Sequence, residues 1–133
     1  RVSERLSEGD PEAIVVMLGG NDGQAMSTPG AVLRRETEAW RAEYTARARV
    51  LADAMSSKGA EVFWIGLPVM RNRGMNRRAQ TMNAAYSAVA EAMDSVHFVD
   101  IWEVFADDQG GYSKHLMDTD GIRRIAPPSH VWQ

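Results

Sequence analysis

Gly19-Gly20-Asn21-Asp22 combines two glycines with a neutral amide and a carboxylate, residue types that can turn a chain sharply and present a hydrogen-bond donor to a reacting group. Glycine lets the backbone turn sharply and come close to a neighbour. An amide NH₂ is a donor for the negative charge that develops on a reacting oxygen. The same residue types also make helix caps and Asx turns, and that alternative stands beside the chemical one for Asn21. Asp22 suits a bracing role, accepting backbone N–H bonds within the loop. A phosphate cradle on Gly19 and Gly20 is excluded by spacing, because neither Gly-x-Gly-x-x-Gly nor a Gly-Lys-Ser/Thr ending is present.

What positions the tetrapeptide is the apolar run Ile14-Val15-Val16-Met17-Leu18 before it. Rich in β-branched residues, it reads as a strand covered on both faces in a parallel sheet. Ligands of open α/β sheets bind outside the carboxyl ends of the strands, where Asn21 falls. Residues 21–30 read as a polar loop, with Ser27-Thr28-Pro29 a turn or cap. From Ala31 or Glu36 to Ser57 the pattern is helical, Trp40, Tyr44, Ala48, Leu51 and Met55 forming one stripe, and Lys58-Gly59 ends it. Glu61 to Leu67 is a second strand closed by Pro68. Val69 to Gly74 is a loop carrying Arg71 and Arg73, and Asn76 to Met93 a helix with Ala79, Met82, Ala85, Tyr86, Val89 and Met93 inward. Val96 to Ile101 is a third strand, followed by an irregular tail. Strands alternating with helices predict parallel β-α-β units.

The strand running into Gly19-x-Asn21-Asp22 resembles the third block of the SGNH (GDSL-type) hydrolase superfamily. Gly23-Gln24, the run Val62-Phe63-Trp64-Ile65-Gly66-Leu67-Pro68 and Phe98-Val99-Asp100-Ile101-Trp102 are similar to a bacterial envelope-associated branch of it. The resemblance implies a three-layer α/β/α flavodoxin-like fold and ester hydrolysis without a cofactor. It implies that Asn21 donates into the oxyanion hole, with Gly19, Gly20 and Asp22 supporting the loop. A glycan or small-molecule ester is the implied substrate, and the bacterial periplasm or envelope the implied location.

Two parts of the family pattern are altered. The Gly-Asp-Ser block with the nucleophile is not found, and Ser3, Ser7 and Ser27 do not sit in its context. The chain also starts at Arg1, so a fragment lacking the first strand and nucleophile is expected. The closing Asp-x-x-His is matched in spacing by Asp120-Gly121-Ile122-Arg123, but arginine cannot act as a base at neutral pH. His130 is the nearest match to the base, though Pro127 stands where its aspartate belongs, and a loose tail histidine is the alternative. A non-catalytic SGNH-like binding module is therefore the rival reading.

Other candidates are weighed on residue type. Arg71 and Arg73 suit an acidic group or sugar hydroxyls, or a solvated loop. Trp102 and Trp64 suit core or groove walls, Trp102 being the one assigned to substrate binding. Asp100 at a strand end suits orienting a polar neighbour. His97 reads as a partly buried structural residue and His115 as a tail residue, neither with a neighbour at metal-ligand spacing. Asp118-x-Asp120-Gly121 lacks the remaining ligands of a calcium loop.

At 133 residues the chain fits one domain. It has 44% hydrophobic and 25% charged residues, ordinary for a globular protein. Its net charge of −3 gives no electrostatic reason for nucleic acid as a partner. The absence of cysteine excludes disulfides, thiolate metal sites and a Cys nucleophile. No apolar run reaches membrane-spanning length, and oligomeric state is not legible.

Overall fold

The structure, a computed structural model, describes residues 9–117 and 123–125. In chain order the elements are β1 (Ala13–Val16), β2 (Met26–Thr28), β3 (Ala31–Leu33), α1 (Glu38–Ser56), β4 (Glu61–Ile65), α2 (Arg73–Glu91), β5 (Val96–Val99), α3 (Trp102–Phe105), β6 (His115–Met117) and β7 (Arg123–Ile125). β1, β4 and β5 form a three-stranded parallel sheet in that order, Val16 level with Trp64 and Trp64 with Phe98. The mixed α/β architecture is consistent with a flavodoxin-like fold. No helix among the described residues is long and apolar enough to cross a membrane.

Both crossovers step the same way across the sheet, and crossovers of one hand then put their helices on one face. Val62, Trp64 and Val96 point to that face and share a single core with Trp40, Tyr44, Ala48, Ala52 and Met55 of α1 and Ala79, Met82, Tyr86 and Val89 of α2. Burying each large apolar side chain contributes about 1.5–3 kcal/mol, so this cluster is the main source of stability. The other face is more open, which corrects the reading of the first strand as covered on both sides. Val15 is 71% exposed there. Phe63 lies against His97 with ring centroids 5.0 Å apart. His97 is exposed, not partly buried, and pairs with Glu61 near the amino ends of the strands.

Several boundaries also differ from the sequence reading, three of them for a plain local reason. The first helix begins at Glu38, not Ala31 or Glu36, because residues 26–33 form a hairpin. Pro29-Gly30 makes its turn, with Gly30 at φ +87°, a conformation that proline followed by glycine supplies. Thr37 caps the helix, its hydroxyl accepting from the Trp40 N–H at 3.2 Å. The second long helix starts earlier, at Arg73, because Asn72 accepts from the N–H groups of Gly74 (2.9 Å) and Met75 (3.1 Å). The third strand stops at Val99. Asp100 then accepts from the Trp102 N–H at 2.8 Å, and the tail holds the antiparallel β6–β7 pair.

Between β4 and α2 the chain is irregular yet buried: Leu67, Val69 and Met70 are at most 5% exposed. A buried backbone must find partners for its polar groups. Asn83 supplies two, accepting from Leu67 N–H at 2.7 Å and donating to Leu67 C=O at 2.8 Å. Asn76 accepts from Met70 N–H at 2.8 Å. We expect Asn83→Ala to leave both Leu67 groups unpaired and lower the unfolding free energy by about 2 kcal/mol. Urea denaturation checks this; a change within error would mean that water replaces the amide.

Candidate active site

The loop after β1 is shaped by sterics before any polar contact. Gly19 sits at φ +107° against α1 and α2, and a Cβ there would lie 2.2 Å from Tyr86 Oη. Only glycine fits, on both counts. The chain then turns, Asp22 N–H donating to Gly19 C=O at 3.0 Å. Asn21 stands near the apex, exposed. Its side chain has no hydrogen-bond partner among the described residues, so it is neither a helix cap nor an Asx-turn acceptor and its amide is free to meet a ligand.

Asp22 braces the loop, but through a side chain and not the backbone N–H bonds expected. Its Oδ2 accepts from the Tyr44 hydroxyl at 3.0 Å. Tyr44 and Tyr86 hydroxyls lie 2.7 Å apart, and Tyr86 also reaches Leu18 C=O at 3.1 Å. Two hydroxyl protons thus serve three contacts. Tyr44 donates to Asp22, and the Tyr86 proton is shared between Tyr44 Oη and the Leu18 carbonyl. Further along, Gln24 C=O accepts from the Trp40 indole N–H at 2.7 Å. The rings are stacked as well: Trp40 on Tyr44 at 5.0 Å and Trp64 on Tyr86 at 4.5 Å between centroids.

Burial resists ionisation of both phenols. Tyr44 is held well above the ordinary tyrosine value, by burial first and then by Tyr86 and the Asp22 carboxylate. Tyr86 is pushed up to about 12 by burial, with the Tyr44 hydrogen bond acting against the shift. Both therefore remain neutral at physiological pH and act as fixed hydrogen-bonding groups.

The turn borders two recesses. One is a cavity of about 430 Å³ whose walls include Leu18, Met26, Ala48, Leu51 and Trp64, with Asn21 and Asp22 on its polar side. Apolar walls with a few polar groups are the usual make-up of a ligand pocket. The buried Trp64 indole N–H has no partner among the described residues. The other recess is a narrow crevice lined by Gly19, Gly20, Met75 and Arg78. Arg78 is half-buried, its stem lying so close over Gly23 that a Cβ there would meet its Cδ at 2.2 Å. Its Nε donates to Gly74 C=O at 3.3 Å.

The structure thus brings Gly19, Gly20, Asn21 and Asp22 together. Arg71 lies exposed just ahead of α2. Trp102 packs against the core and donates its indole N–H to Gly110 C=O at 3.3 Å; it is not among the residues lining the cavity. Asp100 holds the start of α3. His130, Asp118 and Asp120 lie outside the described residues. No serine or histidine lines the cavity, and no group of metal-ligating side chains occurs among the described residues. Sequence reasoning missed Tyr44, Tyr86 and Arg78. The tyrosines carried a signal: a phenol inside a buried helical stripe must satisfy its hydroxyl.

The packing at Gly19 leads to two expectations. Gly19→Ala should destabilise the protein by more than the usual glycine-to-alanine change. Tyr86→Phe should rescue part of that loss in a double-mutant cycle, because it removes the nearest clashing atom. Additive effects would show that the clash is relieved elsewhere. Stability should also be pH-dependent on the alkaline side. Burial raises the folded-state pKa of both phenols above the unfolded value. Their contribution is therefore complete below about pH 10 and falls as pH rises toward about 12. Urea midpoints across that range test this, with Tyr86→Phe giving the shallower fall.

The family model described as "Protein of unknown function (DUF459)" matches residues 1–126, and the chain belongs to that family. No curated protein matches it.

Proposed function

We propose that this DUF459 chain carries the oxyanion-stabilising part of an SGNH-type ester hydrolase. The observation that carries the reading is the uncommitted Asn21 amide, held at the carboxyl edge of a parallel sheet by a rigid, doubly braced turn. The resemblance of Gly19-x-Asn21-Asp22 and its flanking strands to SGNH hydrolases supports it. Loop position set by buried hydroxyls is the kind of support a preorganised donor needs.

In this reading a serine attacks the acyl carbonyl while a histidine, His130 being the candidate, takes its proton. Negative charge collects on the carbonyl oxygen. The Asn21 amide and backbone N–H groups of the turn hold it until the alcohol leaves; water then releases the acyl group. The apolar cavity beside Asn21 suits the acyl group. Arg71 is a candidate for contacts to the alcohol part, and Trp102 for an aromatic wall further out. An O-acyl group on a bacterial envelope glycan is the substrate class the resemblance favours. No cofactor enters the reaction.

A second reading, a non-catalytic binding module of the envelope, is favoured by the lining of the cavity that Asn21 borders, which holds no serine among the described residues. Arg123 at the histidine position of Asp-x-x-His points the same way.

Kinetics of Asn21→Ala in the intact protein decide between them. Losing one oxyanion donor lowers kcat about 100-fold or more. KM should change little, because a neutral carbonyl gains far less from the amide. The melting temperature should hold, since the side chain has no partner to lose. Unchanged turnover per folded molecule with a large drop in melting temperature would make Asn21 a turn residue and withdraw the catalytic assignment.

A further inference from the structure

Four arginines occur between residues 71 and 78: Arg71, Arg73, Arg77 and Arg78. Arg71 precedes α2, Arg73 opens it and Arg77 and Arg78 follow in its second turn, and the first turn holds no acidic residue. The ion pairs among the described residues are Arg47–Glu43, Lys58–Asp10 and His97–Glu61, so none of the four is neutralised by a carboxylate there. Arg73 therefore stands where the helix dipole disfavours positive charge, with no acidic residue in that turn to offset it.

Arg78 differs from the other three in being fixed. Its stem fills the space that the missing Cβ of Gly23 leaves, and its Nε is held by Gly74 C=O. That leaves the two terminal nitrogens without a partner among the described residues. A guanidinium anchored through Nε and free at both ends presents the planar fork that fits a carboxylate or phosphate. It also borders the same crevice as Gly19 and Gly20, one residue from Asn21.

We infer that Arg78 is a binding residue for an oxyanion, carboxylate or phosphate, on the alcohol part of the substrate. Resting on the ester-hydrolase reading, this divides the substrate across the turn. The acyl group enters the apolar cavity bordered by Leu18 and Asn21, and the charged group meets Arg78 on the Gly19–Gly20 side. The anchored Arg78 then replaces the exposed Arg71 as the main polar contact.

Binding and turnover are measured separately on the intact protein. Glucuronate, glucose 6-phosphate and glucose are titrated while backbone amide NMR shifts of residues 19–23 are followed. Both charged sugars should shift these signals and neutral glucose should not; the tighter of the two identifies carboxylate or phosphate. Arg78→Met keeps the stem over Gly23 but removes the fork, and should weaken charged-sugar binding about tenfold or more. Arg77→Gln should leave it unchanged. Equal shifts with glucose, or undiminished binding by Arg78→Met, would overturn the inference, and the comparison of sugars on the parent protein stands even if that variant does not fold. Arg78-dependent binding without Asn21-dependent turnover removes the hydrolase reading and keeps the anion site. Asn21-dependent turnover without charge discrimination does the reverse.

Discussion

Two phenolic hydroxyls 2.7 Å apart tie together most of what surrounds the candidate site. Tyr44 comes from α1 and donates to the Asp22 carboxylate, and Tyr86 comes from α2 and shares its proton between Tyr44 Oη and the carbonyl that ends the β1 extension. Trp64 of β4 stacks on one ring and Trp40 on the other. Both long helices, two strands and the loop thus meet at one buried polar point. Such networks fix geometry when every member is satisfied and are costly when one is not. Here they also set the size limit at Gly19, so steric and polar constraints specify the same loop conformation.

The loop held in this way divides different chemistries. A neutral amide at its apex is exposed and has no partner among the described residues. Leu18, Met26, Leu51 and Trp64 offer apolar surface on one flank, and an anchored guanidinium lies on the other. The rigid sheet edge below and the two helices behind keep these groups in register. The site therefore depends on packing some distance from Asn21, and substitutions among the buried aromatics act on it through position alone.

The strand–helix alternation and the two helical stripes were legible because their periodicity follows from burial on one face. Tyr44, Tyr86 and Val89 fell where a helix repeat puts them. Residues 26–33 misled because a short hairpin beside a helix start has too few residues to show its period, and the Pro29-Gly30 turn was absorbed into a polar loop. The exposure of Val15 was not legible either: an apolar strand reads the same whether one or both faces are covered. The turn at Gly19–Asp22 was legible from type and spacing, since turn chemistry is local. Arg78 was not, because what distinguishes it from Arg71 is contact with Gly23, more than fifty residues away in the chain. For Asp22 the expected partners were backbone N–H groups, whereas its carboxylate accepts from Tyr44, on a helix that sequence cannot dock.

The irregular link between β4 and α2 behaves differently from other loops. Its amides at Leu67 and Met70 belong to no ladder, yet they donate to the side chains of Asn83 and Asn76 beneath a buried surface. Hydrogen exchange at these two sites then requires α2 to move away from the sheet edge, not a local fluctuation of the loop. In exchange behaviour the segment joins the core, and the slow-exchanging region extends past the last residue of β4 to the residue before Arg71.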